Sequence, residues 1–292
     1  FGDLTPVTPD VSSLGFRQRL FGYTREDLQV ILGPMASNGH EPVGSMGNDA
    51  PLAVLSDTPH LLYAYFRQLF AQVTNPPIDS IREELVMSLM TYIGRTPHIF
   101  SDEPRHAQLI KLPQPILANH DVERLKTLSL PAFTTTVLPL GFDPEGGAAG
   151  FEEAVERVCA RAAEAACRQR AILVLSDRGL PEPMAPLPAL LGVAAVTRRL
   201  QAEGLLPHAS LVVETGEARE VHHMALLLGY GATAVNPYLA FESVAQMAAE
   251  RTLERELGVT QAIENYIHAL DKGLLKVMAK MGIRSEERRV GK

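Results

Sequence analysis

Cysteine is nearly missing from this chain of 292 residues. The two thiols, Cys159 and Cys167, lie eight positions apart within what reads as one helix, so about 12 Å separates them along its axis. That distance excludes a disulfide, and no metal-ligand spacing accompanies them. They read as small core residues of a reducing compartment. Long apolar runs are missing too. The longest, residues 187–196, is broken by Pro188 and followed by Arg198 and Arg199, short of the roughly 18 residues a membrane span requires. No stretch is expected to cross a bilayer. Nor is there an excess of basic charge: 27 Lys and Arg against 34 Asp and Glu leave −7, spread along the sequence, which excludes a nucleic-acid face or an anionic-lipid face. No Ser-His-Asp order, nucleophile elbow or His-Glu-x-x-His pattern occurs, so those hydrolase classes are set aside. The first residue is Phe and no charged-then-apolar leader follows, which reads as a fragment without a secretion signal.

With 46% apolar residues the chain can build a normal core in one large domain or two ordinary ones. Residues 1–15, rich in Pro, Thr, Ser and Asp, read as an upstream connector. Thr24 can cap a helix with Asp27 completing a capping box, and Leu28, Ile31 and Leu32 then share a face. Residues 61–73 carry helical spacing with Leu62, Phe66, Leu69 and Phe70 on the buried side, until Asn75-Pro76-Pro77 stops it. Asp79 or Ser80, with Glu83, opens another helix whose core face is Leu85, Val86 and Leu89. Residues 94–132 read as a wrapping connection with one short helix over 121–127.

The second half alternates regularly. Strands are expected over 133–140, 171–175, 210–213 and 232–235, and helices over 151–169, 187–203, 218–228, 241–249 and 261–281. Continuous apolar strands separated by helices indicate parallel β/α units with both sheet faces covered. The fold class is therefore α/β: a partial, half β/α barrel of about four parallel strands, preceded by a mainly helical amino-terminal region.

Two places offer chemistry. In parallel β/α architectures functional groups gather beyond the carboxyl ends of the strands. Asp177 and Arg178, Glu214 and Asn236 stand there, and together they suit a polar ligand or phosphate in a free-standing enzyme. The same residues also suit internal pairing, with Glu214 holding the start of the following helix. The second place is the loop over 41–57, EPVGSMGNDAPLAVLSD, between two apolar helical stretches. Gly44, Gly47 and the Asn48-Asp49 step permit positive φ, and Ser45 and Asp49 can bond to neighbouring main chain. It lacks the Gly-Lys-Ser/Thr ending of a phosphate loop and reads as an ordered surface turn or a meeting place with something else. Of the adjacent His222 and His223, about 100° apart on a helix, one is expected to be packed and one solvated. Lys272, Lys276 and Lys280 read as a solvated helix face or an anion-facing stripe.

Read as whole phrases, FGYTREDLQVILGPMASNGHEPVGSMGNDAPLAVLSD, LFAQVTNPPIDSIREELVMSL, ILVLSDRG, LVVETGEAREVHHMALLLGYGATAVNPYLAFE and KGLLKVMAKMGI resemble the large chain of glutamate synthase, over residues 16–283 and on its central domain. The resemblance implies a central section divided into residues 16–131, helical and loop-rich, and 132–283, the partial barrel leading toward a flavin domain. The complete enzyme turns glutamine, 2-oxoglutarate and a reductant into two glutamates. Its partners are implied to be a glutaminase domain and a flavin synthase domain of the same chain, with a small electron-donating subunit or ferredoxin, in the cytoplasm. FMN and an iron–sulfur cluster are implied for the complete enzyme, and no cofactor, metal or catalytic residue for this section. Gly44, Ser45, Met46, Gly47, Asn48 and Asp49 are implied to lie along the ammonia path or an interdomain contact, although Ala50 stands where the family usually has Thr. Residues 284–292, RSEERRVGK, depart from the family and read as a non-native tail.

Overall fold

A computed structural model describes residues 11–43, 52–67, 86–96, 100, 103–128 and 130–283. Helices α1 (Val11–Leu20) and α2 (Gly33–Asn38) come first, the second entered through a π-helical turn over Asp27–Leu32. Strands β1 (Thr91–Ile93) and β2 (Ile110–Leu112) and helix α3 (Asn119–Thr127) follow. Then come β3 (Thr135–Pro139), β4 (Gly141–Phe142), α4 (Gly147–Cys167), β5 (Ile172–Ser176), β6 (Ala185–Pro186) and α5 (Ala189–Ala202). The chain finishes with β7 (Ser210–Glu214), α6 (Val221–Gly229), β8 (Ala234–Asn236), α7 (Tyr238–Ala249) and α8 (Val259–Met281). No helix among the described residues is long and apolar enough to cross a membrane.

Two compact units result: residues 90–218 with 226–239, and residues 1–89 with 219–225 and 240–292. Residues 90–131, expected with the amino-terminal part, group instead with the sheet. The reason is burial. Ile93, Leu112, Leu117, Val122 and Leu125 share one core cluster with Ile172, Val174, Val212 and Ala234 of the strands.

In the sheet unit, β3, β5, β7 and β8 form a parallel four-stranded sheet in that order. Each strand is added beside its predecessor, as in a β/α barrel, and four strands make the partial barrel that the alternation predicts. Every residue of β5, β7 and β8 is buried, so each Val, Leu or Ile contributes about 1.5–3 kcal/mol relative to exposure. The outer edge of β8 is met by a single parallel bridge between Val235 and Ile116, where Val235 N–H donates to Pro115 O at 2.8 Å and Leu117 N–H to Val235 O at 2.9 Å. Helix α4 buries an alanine-rich face, Ala154, Val158, Cys159, Ala162 and Ala166. Cys167, expected in the core, is exposed, because the helix ends there and turns outward. Its end is a Schellman turn: Gln169 N–H donates to Ala166 O and Arg170 N–H to Ala165 O, each at 3.0 Å. Gln169 holds the left-handed position at φ 62°, a place that glycine usually fills. Gly282 does so at the end of α8, with φ 70°.

The other unit is helical. The capping box stands as expected: Thr24 N–H donates to Asp27 Oδ2 at 2.8 Å, and Asp27 N–H to Thr24 Oγ1 at 3.1 Å. Helix α2 packs on α8, where Asn265 Nδ2 donates to Ala36 O at 2.9 Å. Arg17 and Glu242 form an ion pair at 2.5 Å with the carboxylate buried. The helix expected over 61–73 begins as a 3₁₀ turn, Leu62–Phe66, and the backbone is already extended at Arg67. A three-residue repeat changes which side chain faces inward: Tyr63 is fully buried, whereas Phe66 is exposed. Leu69, Phe70 and residues 79–85 of the helix expected to open at Asp79 or Ser80 lie outside the described residues, as do Gly44, Ser45, Met46, Gly47, Asn48 and Asp49, while Val86 and Leu89 of its expected core face are half-buried and residues 87–90 are not helical.

Candidate functional site

Strand register creates the polar end of the sheet. Ser176 of β5, Glu214 of β7 and Asn236 of β8 are direct cross-strand partners, so their side chains leave the sheet at one level on one face. Glu214 is fully buried, yet it is surrounded by donors. Ser176 Oγ donates to its Oε2 at 2.6 Å, Lys126 of α3 reaches it at 2.8 Å, and Arg178 Nη1 reaches Oε1 at 3.4 Å. Burial works against the Lys126 charge, but its bonds to Glu123 and Glu214 outweigh that and raise its pKa. Asn236 belongs to a separate group, donating to Leu117 O at 2.8 Å and to Asn119 Oδ1 at 2.9 Å.

One residue further along, the alternation of the strand turns Asp177 and Thr215 to the opposite side. Thr215 Oγ1 donates to Asp177 Oδ2 at 2.5 Å, and Gly216 N–H donates to both carboxylate oxygens, at 2.9 and 3.2 Å. Burial pushes the Asp177 pKa up to about 7, against the lowering pull of those two donors and with repulsion from Glu217. Such a value suits proton transfer near neutrality, but both oxygens already hold donors from β7's outgoing loop. Glu214, expected to hold the start of the following helix, is instead bound by Ser176 and Lys126, and Glu217 holds the start of the preceding helix: its Oε2 accepts from Ala189 N–H at 2.9 Å, at the first turn of α5. Arg178 lies over the Tyr238 ring, 5.0 Å from its centroid.

Of the four residues singled out in the sequence, the fold therefore joins Arg178 directly to Glu214 and gives Asp177 and Asn236 other partners. Lys126, Ser176, Thr215 and Glu217 complete the network. Lys126 sits 88 positions from Glu214, and no local pattern could have announced that pair. Ser176 and Thr215 adjoin singled-out residues, and strand-end position alone pointed to them.

The helical unit has its own polar cleft, a cavity of about 520 Å³ bordered by His60, His222, Arg67, Arg219 and Asp27. Arg219 is held on every side: it reaches Asp27 Oδ2 at 3.1 Å, Phe21 O at 3.2 Å and Gly22 O at 2.9 Å, and lies 4.4 Å from the Tyr23 ring centroid. His223 is buried and stacked on Tyr63 at 4.2 Å. Burial and the nearby Arg219 hold its pKa well below the usual histidine range. His222 is half-buried, with Nε2 3.2 Å from Tyr63 O. Of the lysines on α8, Lys276 reaches Glu41 at 3.3 Å. Among the described residues no group of three or more His, Cys, Asp or Glu is placed to hold a metal ion.

The family described as "Glutamate synthase central domain" matches residues 16–287. Among curated proteins, "Glutamate synthase [NADH]" of Schizosaccharomyces pombe is 44% identical over 96% of this chain, which spans 14% of that protein. "Glutamate synthase [NADPH] large chain" of Bacillus subtilis is 42% identical over 96% of this chain and 19% of its own length. "Ferredoxin-dependent glutamate synthase, chloroplastic" of Spinacia oleracea is 42% identical over 91% and 17%. The chain thus spans under a fifth of the length of each of these relatives. A solved flavocytochrome b2 chain aligns with 87% of this chain and 61% of its own, at 17% identity and a TM-score of 0.37.

Proposed function

Because this chain belongs to the glutamate synthase central domain family, we propose that it is the central section of a glutamate synthase large chain, one that joins the catalytic domains and makes no bond itself. The complete enzyme, on this reading, is an oxidoreductase that makes two glutamates from glutamine, 2-oxoglutarate and a reductant. A glutaminase domain and a flavin synthase domain of the same chain are its neighbours. Gly44 to Asp49 are assigned to the wall of the ammonia path between them, on the strength of the resemblance in sequence.

The observation that carries this reading is the state of the strand-end groups. Asp177, Arg178 and Glu214 are engaged with one another's neighbours, so the place where a β/α enzyme keeps its reactive groups is taken up by internal bonds. The residues present do not fit the family's cofactors. A flavin phosphate at this sheet end would meet buried carboxylates, and two cysteines in one helix, one buried and one exposed, cannot supply a cluster's thiolates. Relatives named for NADH, for NADPH and for ferredoxin resemble this chain equally well, at 42–44% identity, which supports placing the choice of electron donor outside this section. Unpaired thiols support a cytoplasmic, reducing location.

The test uses the protein at its full natural length. Gly47→Val is expected to leave glutamine hydrolysis intact while free ammonia escapes and glutamate formation from 2-oxoglutarate falls. Unchanged coupling would remove the loop from the ammonia path. Glutamine hydrolysis or bound flavin in the 292-residue chain alone would overturn the non-catalytic reading.

A further inference from the structure

We propose that the cavity at the amino-terminal end of the parallel sheet binds a small organic polyanion, one carrying two or more phosphate or carboxylate groups, with Arg95 as its anchor. Every residue bordering this cavity belongs to the sheet unit. Thr134, Arg170 and His208, at the entrances to β3, β5 and β7, border a cavity of about 590 Å³, within the range of small-molecule sites.

Arg95 is held in place from both sides. Gly94 N–H donates to Ser210 Oγ at 3.0 Å while Ser210 Oγ donates back to Gly94 O at 2.9 Å, and Thr96 N–H donates to Pro207 O at 2.8 Å. The segment carrying the guanidinium is thereby fastened to the start of β7. Arg95 Nη1 donates to Gln169 Oε1 at 3.1 Å, but Nε is buried without a hydrogen-bond partner among the described residues. The burial of Nε leaves the Nη groups, charged donors in a fixed fork, as the ones that can meet a ligand oxygen. Gln169 sharpens the case. It occupies a left-handed position that a non-glycine residue rarely adopts, and there its side-chain oxygen accepts from Arg95.

The electrostatics favour an anion. Among the lining residues described, Arg95, Arg168 and Arg170 face a single acid, Glu103, on a chain whose net charge is −7. Arg168 has a local explanation, since it pairs with Glu164 at 2.7 Å at the carboxyl end of α4, where a cation suits the helix dipole. Arg95 has none, because it arrives from a strand rather than a helix end. Arg170, exposed at the rim, makes no ion pair among the described residues. Two guanidinium groups on one cavity match the paired oxygens of phosphate or carboxylate groups.

The protein at its full natural length is titrated calorimetrically with pyrophosphate and, separately, with citrate, each against sulfate at equal ionic strength. Saturable binding of either at least tenfold tighter than sulfate is expected. Pyrophosphate preference identifies a phosphate-bearing ligand, citrate preference a polycarboxylate. Arg95→Gln should weaken that binding tenfold or more and Arg170→Gln severalfold, with Arg161→Gln, on exposed α4 surface, unchanged. Arg170→Gln keeps the test decisive if Arg95→Gln fails to fold. Binding no tighter than sulfate, or equal in wild type and Arg170→Gln, overturns the proposal.

Discussion

The two ends of the parallel sheet differ in how they treat charge. At the carboxyl end, buried acids are met by donors from neighbouring segments: Glu214 by Ser176, Lys126 and Arg178, Asp177 by Thr215 and Gly216. At the amino end, arginines border an open cavity and one buried guanidinium N–H has no acceptor among the described residues. The usual order of a β/α barrel, with reactive groups at the carboxyl end and stabilising ones at the amino end, is reversed. A sheet of this architecture can thus turn its customary active end into a fastening and leave binding capacity at the other.

Breaking the carboxyl-end network should have the largest effect. Glu214→Ala strands Lys126, Arg178 and Ser176 around an empty place, and a loss of about 3–5 kcal/mol is expected in denaturant unfolding. A loss below about 1 kcal/mol would mean the network is decoration. Asp177 should next reveal itself through pH. Its pKa is near 7 in the folded protein against an ordinary 3.8, so the folded state holds the proton more tightly. The stability it contributes is full below about pH 4 and lost as pH rises through about 7, with an upper bound of about 4 kcal/mol. Asp177→Asn should flatten that decline in thermal melts at several pH values. Part of the slope will remain, because burial also raises Asp271 to about 7.

At the amino end the expected effects on stability are smaller. Ser210→Ala removes both bonds to Gly94 and should cost about 1–2 kcal/mol, along with weaker polyanion binding as Arg95 loses its anchorage. Gln169→Gly sharpens the contrast most cleanly. Relief of the left-handed strain should raise stability by about 0.5–1 kcal/mol, while the guanidinium loses its partner and binding weakens. A more stable protein with undiminished binding would assign Gln169 no part in the cavity.

Much of the architecture could be read in the sequence. The runs Ile172–Ser176 and Ser210–Glu214 are apolar nearly throughout because both faces of their strands are covered, and the helices between them carry a clear period. The Thr24–Asp27 box was equally plain, since its two bonds span only three positions. Residues 90–131 were opaque for the opposite reason. Their strands are three residues long, too short for any periodicity, and they are fixed by the core they cover. The four strand-end residues could be located but their distant partners could not, because Lys126 and Asn119 arrive on α3, 88 positions from Glu214 and 117 from Asn236. Arg95 gave no signal at all: one arginine before a threonine acquires meaning only when β7 and the end of α4 meet beside it.

The bridge between Ile116 and Val235 has a consequence for association. It lays chain along the outer side of β8, where main-chain groups would otherwise invite a further strand. The opposite border, β3, offers Pro139, which has no N–H to give to a neighbouring strand. A sheet covered at one border and carrying a proline at the other is less suited to recruiting strands from other molecules, which lets this unit stop at four strands.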